Sequence, residues 1–204
     1  MTFHRNPIRT LTMIPSSIIT RNIFTVDECN KIVEDVKSLV KPTQGTLSGE
    51  LKDKKRRNST VRWFSSTPEF KWIFDKIDYV FNQVNNEWFN FNLIGYSQIQ
   101  FTEYDSTESQ HYAWHTDMVW AEENMQFAPD STLRKLSCSI VLNQQEVNFE
   151  GGDFELDNIL RPTVPELDKG DGIFFPSFVW HQVKPVTKGT RYSLVVWMIG
   201  PPFQ

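Results

Sequence analysis

Tyr112-Ala113-Trp114-His115-Thr116-Asp117 reads as a β-strand whose last three residues set an imidazole and a carboxylate two positions apart. Residues i and i+2 of a strand share a face, so His115 and Asp117 can grip one metal ion together. Trp180-His181, far downstream in another expected strand, offers a second imidazole. Two histidines and one carboxylate bind one face of a non-haem Fe(II) and leave positions open on the other. On its own an H-x-D pair recurs by chance, and a surface histidine beside an acid is the plain alternative. The pattern around it decides between the two.

From Asn92 onward the apolar spacing takes the two-residue period of strands. The expected strands are Leu93 to Tyr104, Tyr112 to Asp117, Lys135 to Asn143, Asp153 to Leu156, Gly172 to Pro176, Val179 to Val183 and Arg191 to Ile199. Gly151-Gly152, Lys169-Gly170 and Lys188-Gly189 supply turns between them. Short strands at this density predict a sandwich or barrel. Upstream the period is helical. Thr25-Val26-Asp27-Glu28 is a capping box with Phe24 placed as a staple, and Cys29, Ile32, Val33, Val36, Leu39 and Val40 continue it until Pro42 and Gly45. A second amphipathic helix carries Phe70, Ile73, Phe74, Ile77, Phe81 and Val84 to about Asn85, with Thr67 as N-cap and Pro68 as its first residue. Residues 1 to 24 read as extended and irregular.

The fold class is therefore α+β, mainly β, with two N-terminal helices buttressing a sheet. A single domain is expected over residues 1–204, with 1–91 as helical support and edge and 92–200 as the core. At 204 residues and 23.9 kDa the chain can bury one substantial core. A hydrophobic share of 39%, with sixteen Phe and seven Trp, excludes disorder. A net charge of −4 gives no global sign of nucleic acid or an anionic membrane. No apolar run approaches the roughly 18 to 20 residues of a membrane span, and the first residues lack the order of a secretory signal. Cys29 and Cys138 fall on apolar faces, as buried thiols rather than a disulfide, so a cytoplasmic location is expected. Lys52, Lys54, Lys55, Arg56 and Arg57 form either a phosphate-binding patch or a solvated loop; the lack of interleaved aromatics favours the loop. The isolated His4 and His111 read as bystanders.

Lys184 to Gly189 reads as a hairpin turn that returns Arg191 beside the strand carrying His181. Alternation then sets Arg191, Ser193, Val195 and Trp197 on one face, and Tyr192, Leu194, Val196 and Met198 on the other. If the first set faces inward, a guanidinium is buried and needs an anion. That anion is either a bound carboxylate or an internal acid, Asp153 or Asp171.

The ordered series H-x-D, Arg134-Lys135-Leu136-Ser137, Phe149-Glu150-Gly151-Gly152-Asp153-Phe154-Glu155-Leu156, Gly170-Asp171-Gly172-Ile173-Phe174-Phe175-Pro176, Trp180-His181-Gln182-Val183 and Gly189-Thr190-Arg191-Tyr192-Ser193 resembles the Fe(II)/2-oxoglutarate-dependent dioxygenases. Within them it resembles the prolyl 4-hydroxylase-like group, over about residues 93 to 200. The resemblance implies a double-stranded β-helix, or jelly roll, with supporting N-terminal helices. It implies His115, Asp117 and His181 as iron ligands and Arg191 as the residue holding the distal carboxylate of 2-oxoglutarate. Ser193 would add a hydroxyl to that clamp. Tyr104 resembles the tyrosine upstream of H-x-D that touches the cosubstrate, although its spacing to His115 is one residue longer. Tyr112 resembles a pocket tyrosine and Trp197 an aromatic residue beside the iron, with barrel packing as the alternative for both. Gly151 and Gly152 serve the backbone turn.

The cofactors implied are Fe(II), 2-oxoglutarate and O2, with ascorbate as a candidate accessory reductant. Oxidative decarboxylation yields succinate and CO2, and a C–H bond of the substrate becomes a hydroxyl. The expected substrate is a prolyl side chain in a peptide or protein, with the Gly49 to Asn58 and Asp105 to Gln110 loops as lids. A free amino acid or other small molecule is the second enzymatic reading. A nucleic-acid substrate is disfavoured, since only Lys52 to Arg57 concentrates positive charge, and no membrane partner is expected. A jelly-roll binding module whose metal is structural or absent is the reading from a different class.

Overall fold

The capping box forms as expected. Thr25 accepts from the Glu28 amide at 3.3 Å, and the Glu28 carboxylate accepts from the Thr25 amide at 2.8 Å, opening α1 (Val26–Leu39). Cys29, Ile32 and Val36 form its buried stripe, whereas Leu39, expected on the stripe, is 60% exposed. Thr67 is not the cap of α2 (Lys71–Val84). Its carbonyl instead accepts from the Phe70 and Lys71 amides, so Thr67-Pro68 makes a separate turn and Phe70 holds the cap position, its ring 4.7 Å from Phe64. The helix runs on as one π-turn over Asn85–Phe89, because the Asn85 side-chain amide bonds both backbone groups of Phe91 and tightens the exit.

The computed structural model describes residues 14–47, 53–96, 98–118, 132–158 and 161–203. Its strands are β1 (Ile18–Thr20), β2 (Thr43–Gln44), β3 (Arg57–Asn58), β4 (Thr60–Phe64), β5 (Ile99–Asp105), β6 (His111–His115), β7 (Leu133–Val141), β8 (Phe149–Gly151), β9 (Phe154–Asn158), β10 (Arg161–Thr163), β11 (Gly172–Pro176), β12 (His181–Val183) and β13 (Val186–Gly200). The larger sheet runs β1-β11-β7-β13-β5-β4-β2, with β8 also paired to β13. The smaller runs β10-β9-β12-β6-β3. Both are antiparallel throughout their named pairings.

Most strand boundaries move from their expected places: β7 is Leu133–Val141, β9 Phe154–Asn158 and β12 His181–Val183, and three further shifts bear on the site. β5 starts at Ile99 rather than Leu93, since Gly95, at φ 129°, breaks the strand and makes an isolated bridge to Ile199. β6 ends at His115, two residues before Asp117. β13 starts at Val186, and it does not form a hairpin with β12: the two strands lie in different sheets. Pro185 marks the crossing. Its carbonyl accepts from the Gly152 amide, and the next amide, Val186, donates to Gln110, which turns the chain into the larger sheet beside β8.

The larger sheet separates two apolar cores. Toward the helices, Leu194, Val196 and Met198 of β13, Ile99 and Phe101 of β5 and Leu136, Cys138 and Ile140 of β7 pack with the stripes of α1 and α2. Phe81 of α2 meets Phe174 of β11 edge-on at 4.9 Å. Each fully buried aromatic or aliphatic side chain there contributes roughly 1.5–3 kcal/mol. On the opposite face, Tyr104, Ile173 and Phe175 meet Phe154, Leu156 and Val183 of the smaller sheet. Cys29 and Cys138 are buried free thiols, as expected. No helix among the described residues is long and apolar enough to cross a membrane.

Candidate metal centre

Strand pairing brings the two distant histidines together. His115 and His181 are direct partners in the β6–β12 ladder, with ring centroids 4.1 Å apart. Asp117 arrives on a turn rather than on the strand: the Asp117 and Met118 amides both donate to the Ser177 carbonyl at 2.9 Å, folding the turn over the end of β6. Its carboxylate then lies 3.4 Å from His181 Nε2 and 3.8 Å from His115 Nε2, and one ligand atom from each residue falls within 4.8 Å of the others.

All three side chains are buried. His115 Nδ1 lies 2.8 Å from the Ala113 carbonyl and His181 Nδ1 lies 3.0 Å from the Val179 carbonyl. A carbonyl only accepts, so both Nδ1 atoms carry the proton and both Nε2 atoms present a lone pair. Asp117 Oδ2, meanwhile, is buried with no hydrogen-bond donor. An oxygen anion facing two lone pairs in a dry site is costly unless a cation joins them, so this donor set fits a divalent metal. Burial, reinforced by His181, pushes the His115 imidazolium down to about 3 against the attraction of Asp117. Burial also acts to raise Asp117, but the attraction of His181 and His115 in their charged forms, of Arg134 and of the Ser137 hydroxyl outweighs it and holds the carboxyl below its ordinary range. A neutral imidazole and an ionised carboxylate are the forms that bind metal.

Arg191 enters the same interior from the opposite sheet. It is 2% exposed, in register with Tyr104 of β5, and donates from Nη1 to Ser193 Oγ at 3.1 Å. Its Cζ lies 5.8 Å from the centre of the Tyr104 ring. The internal salt bridge does not form. Asp153 accepts from Gln145 at 2.8 Å, Asp171 pairs with Arg21 at 2.5 Å, and among the described residues no carboxylate pairs with Arg191. Burial pulls the guanidinium's pKa down, opposed by Tyr104 and Asp153. A buried cation without a paired carboxylate among the described residues is a place for an incoming anion. Gly152 makes room for it: a Cβ there would meet Val186 Cγ2 at 2.9 Å and the Arg191 stem at 3.2 Å, at a φ of +65°.

The remaining sequence-predicted residues divide. Tyr112 stacks on His115 with centroids 3.4 Å apart, and Arg57 Cζ lies 4.5 Å from the same ring. Trp197 packs against Trp63 with ring centroids 5.6 Å apart and planes tilted by 30°, and carries Arg134 over its ring at 4.0 Å, in the wall of a cavity that also includes Asp117. The basic run is therefore not one solvated loop. Arg57 is buried in β3, paired with Tyr112, whereas Lys54 and Arg56 stay exposed. Of the Gly49 to Asn58 stretch, residues 48–52 lie outside the described residues, as does Lys52 with them. Asp53 to Arg56 forms a turn, and Lys54 ties it to Glu108 at 3.1 Å. The Asp105 to Gln110 loop is a short 3₁₀ turn closed by the Gln110 side chain on the Asp105 amide at 2.9 Å. His111 sits between the Ser109 and Lys55 carbonyls, and His4 lies outside the described residues.

Residues 99–199, which contain all three metal-ligating candidates and Arg191, match the family model of the 2OG-Fe(II) oxygenase superfamily. The chain belongs to this superfamily. Fe(II), 2-oxoglutarate and O2 are accordingly its cofactors, and the His-Asp-His donor set agrees. This 2OG-Fe(II) oxygenase is 32% identical over 92 residues to a PKHD-type hydroxylase of Alteromonas mediterranea, covering 45% of this chain and 39% of that protein. It is 32% identical over 101 residues to a PKHD-type hydroxylase of Janthinobacterium, covering 48% and 41%. The matched region thus spans well under half the length of those curated relatives. Among solved structures it superposes on a prolyl hydroxylase of Trichoplax adhaerens in complex with a hypoxia inducible factor oxygen degradation domain peptide fragment, with a TM-score of 0.71 at 18% identity over 90% of this chain and 83% of that one. A viral collagen prolyl hydroxylase of Paramecium Bursaria Chlorella virus-1, as its 2OG complex, gives a TM-score of 0.67 at 18% identity over 91% and 97%. The fold is the expected double-stranded β-helix with supporting helices.

Proposed function

We propose that this chain is a 2-oxoglutarate-dependent hydroxylase acting on a prolyl residue of a peptide or protein, with succinate and CO2 as co-products. One observation carries the enzymatic reading: a buried carboxylate oxygen without a donor faces two imidazole lone pairs, in the interior that also holds an unpaired guanidinium. The prolyl assignment is supported by the hydroxylases named among its relatives and by the peptide bound to one structural neighbour.

His115 and His181 would hold iron through Nε2, each ring fixed by the proton its Nδ1 gives to a backbone carbonyl, with Asp117 as the anionic third ligand. The iron, when bound, supplies the redox chemistry that couples oxygen to the cosubstrate. Arg191 would take the distal carboxylate of 2-oxoglutarate with its planar fork, steadied by Ser193 and flanked by the buried Tyr104. Phe154 and Phe175, whose rings lie 5.6 and 4.7 Å from His181, keep water from that side of the centre. Incubating the protein with Fe(II), 2-oxoglutarate, ascorbate and a panel of proline-containing peptides tests the reading by mass spectrometry. Succinate together with a peptide that gains one oxygen atom is expected. Succinate without any oxygenated prolyl peptide moves the substrate elsewhere, and no succinate removes the enzymatic reading.

A further inference from the structure

Beside the centre is a cavity of about 230 Å³ whose wall includes Asp117, Tyr112, Trp63, Trp197, Arg57 and Arg134. Arg191, Tyr104 and Ser193 are not in its lining. Among the described residues, its two guanidinium groups have no acid of their own. Arg57 donates to Ser59 Oγ at 3.1 Å, the Thr46 carbonyl at 2.8 Å and Gln100 Oε1 at 3.2 Å, all neutral. Arg134 lies over Trp197 and forms no ion pair among the described residues. Asp117 is the nearby anion, and a bound metal would claim its charge. Two sequestered cations around a small cavity are unfavourable unless an anion completes them.

We infer that this cavity is a carboxylate site for the substrate: the acid group meets Arg57 and Arg134 while the apolar body lies against Trp63 and Trp197. The inference rests on the hydroxylase reading above and deepens it by naming what the substrate must carry. The planar forks suit a carboxylate, and the volume, below the roughly 300–1,000 Å³ of drug-sized pockets, admits one residue-sized acid rather than a nucleotide. Such a group belongs either to a free amino acid or to the C-terminus of a peptide.

Matched acid and amide pairs distinguish these cases. With Zn(II) in place of iron and 2-oxoglutarate present, so that nothing turns over, calorimetry would follow N-acetyl-L-proline against N-acetyl-L-prolinamide. A glycyl-alanyl-proline tripeptide with a free or amidated C-terminus forms the second pair. The acids are expected to bind at least about tenfold tighter than the amides. Arg134→Gln should bring each acid to within about twofold of its amide while leaving the amide's affinity in place, and Arg134→Lys should keep part of the preference. A merely structural arginine would weaken both members of a pair alike, and that result overturns the inference. So does equal binding of acid and amide by the wild-type protein, which needs no variant, or no binding of either acid at millimolar concentration. Displacement of 2-oxoglutarate by the acids would assign the two arginines to the cosubstrate and overturn it as well. Failure of the hydroxylase reading is separately visible, as a wild-type protein that binds neither Zn(II) nor 2-oxoglutarate. The tighter of the two acids identifies the source of the carboxylate.

Discussion

Each side chain at the centre has its protonation state set by what lies behind it. The Ala113 and Val179 carbonyls fix the imidazole tautomers, and burial keeps His115 neutral. Replacing His115, Asp117 or His181 singly by Ala should lower succinate formation by more than about 100-fold, since loss of a residue that merely supports a ligand already costs 10–100-fold. The metal content of the purified variants should fall with it, while circular dichroism stays as in the wild type; full iron occupancy in any one of them would remove that residue from the ligand set. At Arg191 the question is geometry rather than charge. Arg191→Lys keeps the cation and loses the fork, so the KM for 2-oxoglutarate should rise about tenfold or more with a smaller effect on kcat. An unchanged KM would place the cosubstrate's carboxylate away from this strand.

At the scale of elements, the centre depends on contacts between strands that are remote in sequence. β6 and β12 set the two histidines side by side, the Ser177 carbonyl holds the turn bearing Asp117, and β13 delivers Arg191 from the facing sheet. The β8–β9 turn is a tight joint beside the centre, because Gly152 combines a positive φ with close approach to the Arg191 stem. Gly152→Ala is expected to destabilise the protein by about 1–3 kcal/mol and to raise the KM for 2-oxoglutarate as well, read from urea titration and steady-state kinetics. Stability loss without any change in KM would confine Gly152 to the turn. Thr25→Ala, far from the centre, breaks the capping box of α1 and should cost about 1 kcal/mol with kcat/KM unaltered. A larger loss would mean that α1 contributes more than its own cap to the helix-side core.

For the whole molecule, acid stability follows from carboxylates that tie one element to another. Glu28 joins α1 to Lys76 of α2, Asp105 joins β5 to Thr190 of β13, and Glu155 joins β9 to Gln182 of β12 and to Lys184. Burial raises Glu28 and Glu155, but Lys76 with Thr25 and Lys184 with Gln182 outweigh it, and the Thr107 and Thr190 hydroxyls lower Asp105. All three therefore sit below their ordinary values in the folded chain. As pH falls, the unfolded chain takes up these protons first, so their stabilisation is complete above the ordinary carboxylate range and is lost through and below it. Tm should stay level from neutral pH to about 5 and then decline, with a shallower decline in Glu28→Gln. A Tm that rises on acidification would contradict that assignment of partners.

The amino-acid sequence by itself determined the His115–Asp117 pair, the capped helix α1 and the face of β13 on which Arg191 and Ser193 lie, because each is written in spacings of two to four residues; His181 followed only from the order of the motifs. The motif order also carried the superfamily and its cofactors. Tertiary structure alone decided that Asp117 rides on a turn, that Arg191 reaches the interior from the opposite sheet rather than through a hairpin, and that neither Asp153 nor Asp171 neutralises it. It also separated Arg57 from its solvated neighbours and brought Arg134 to the same cavity. The reason is physical: strands of two or three residues, such as β3, β8 and β12, are too short to display a period, and their partners are chosen by packing across the sandwich.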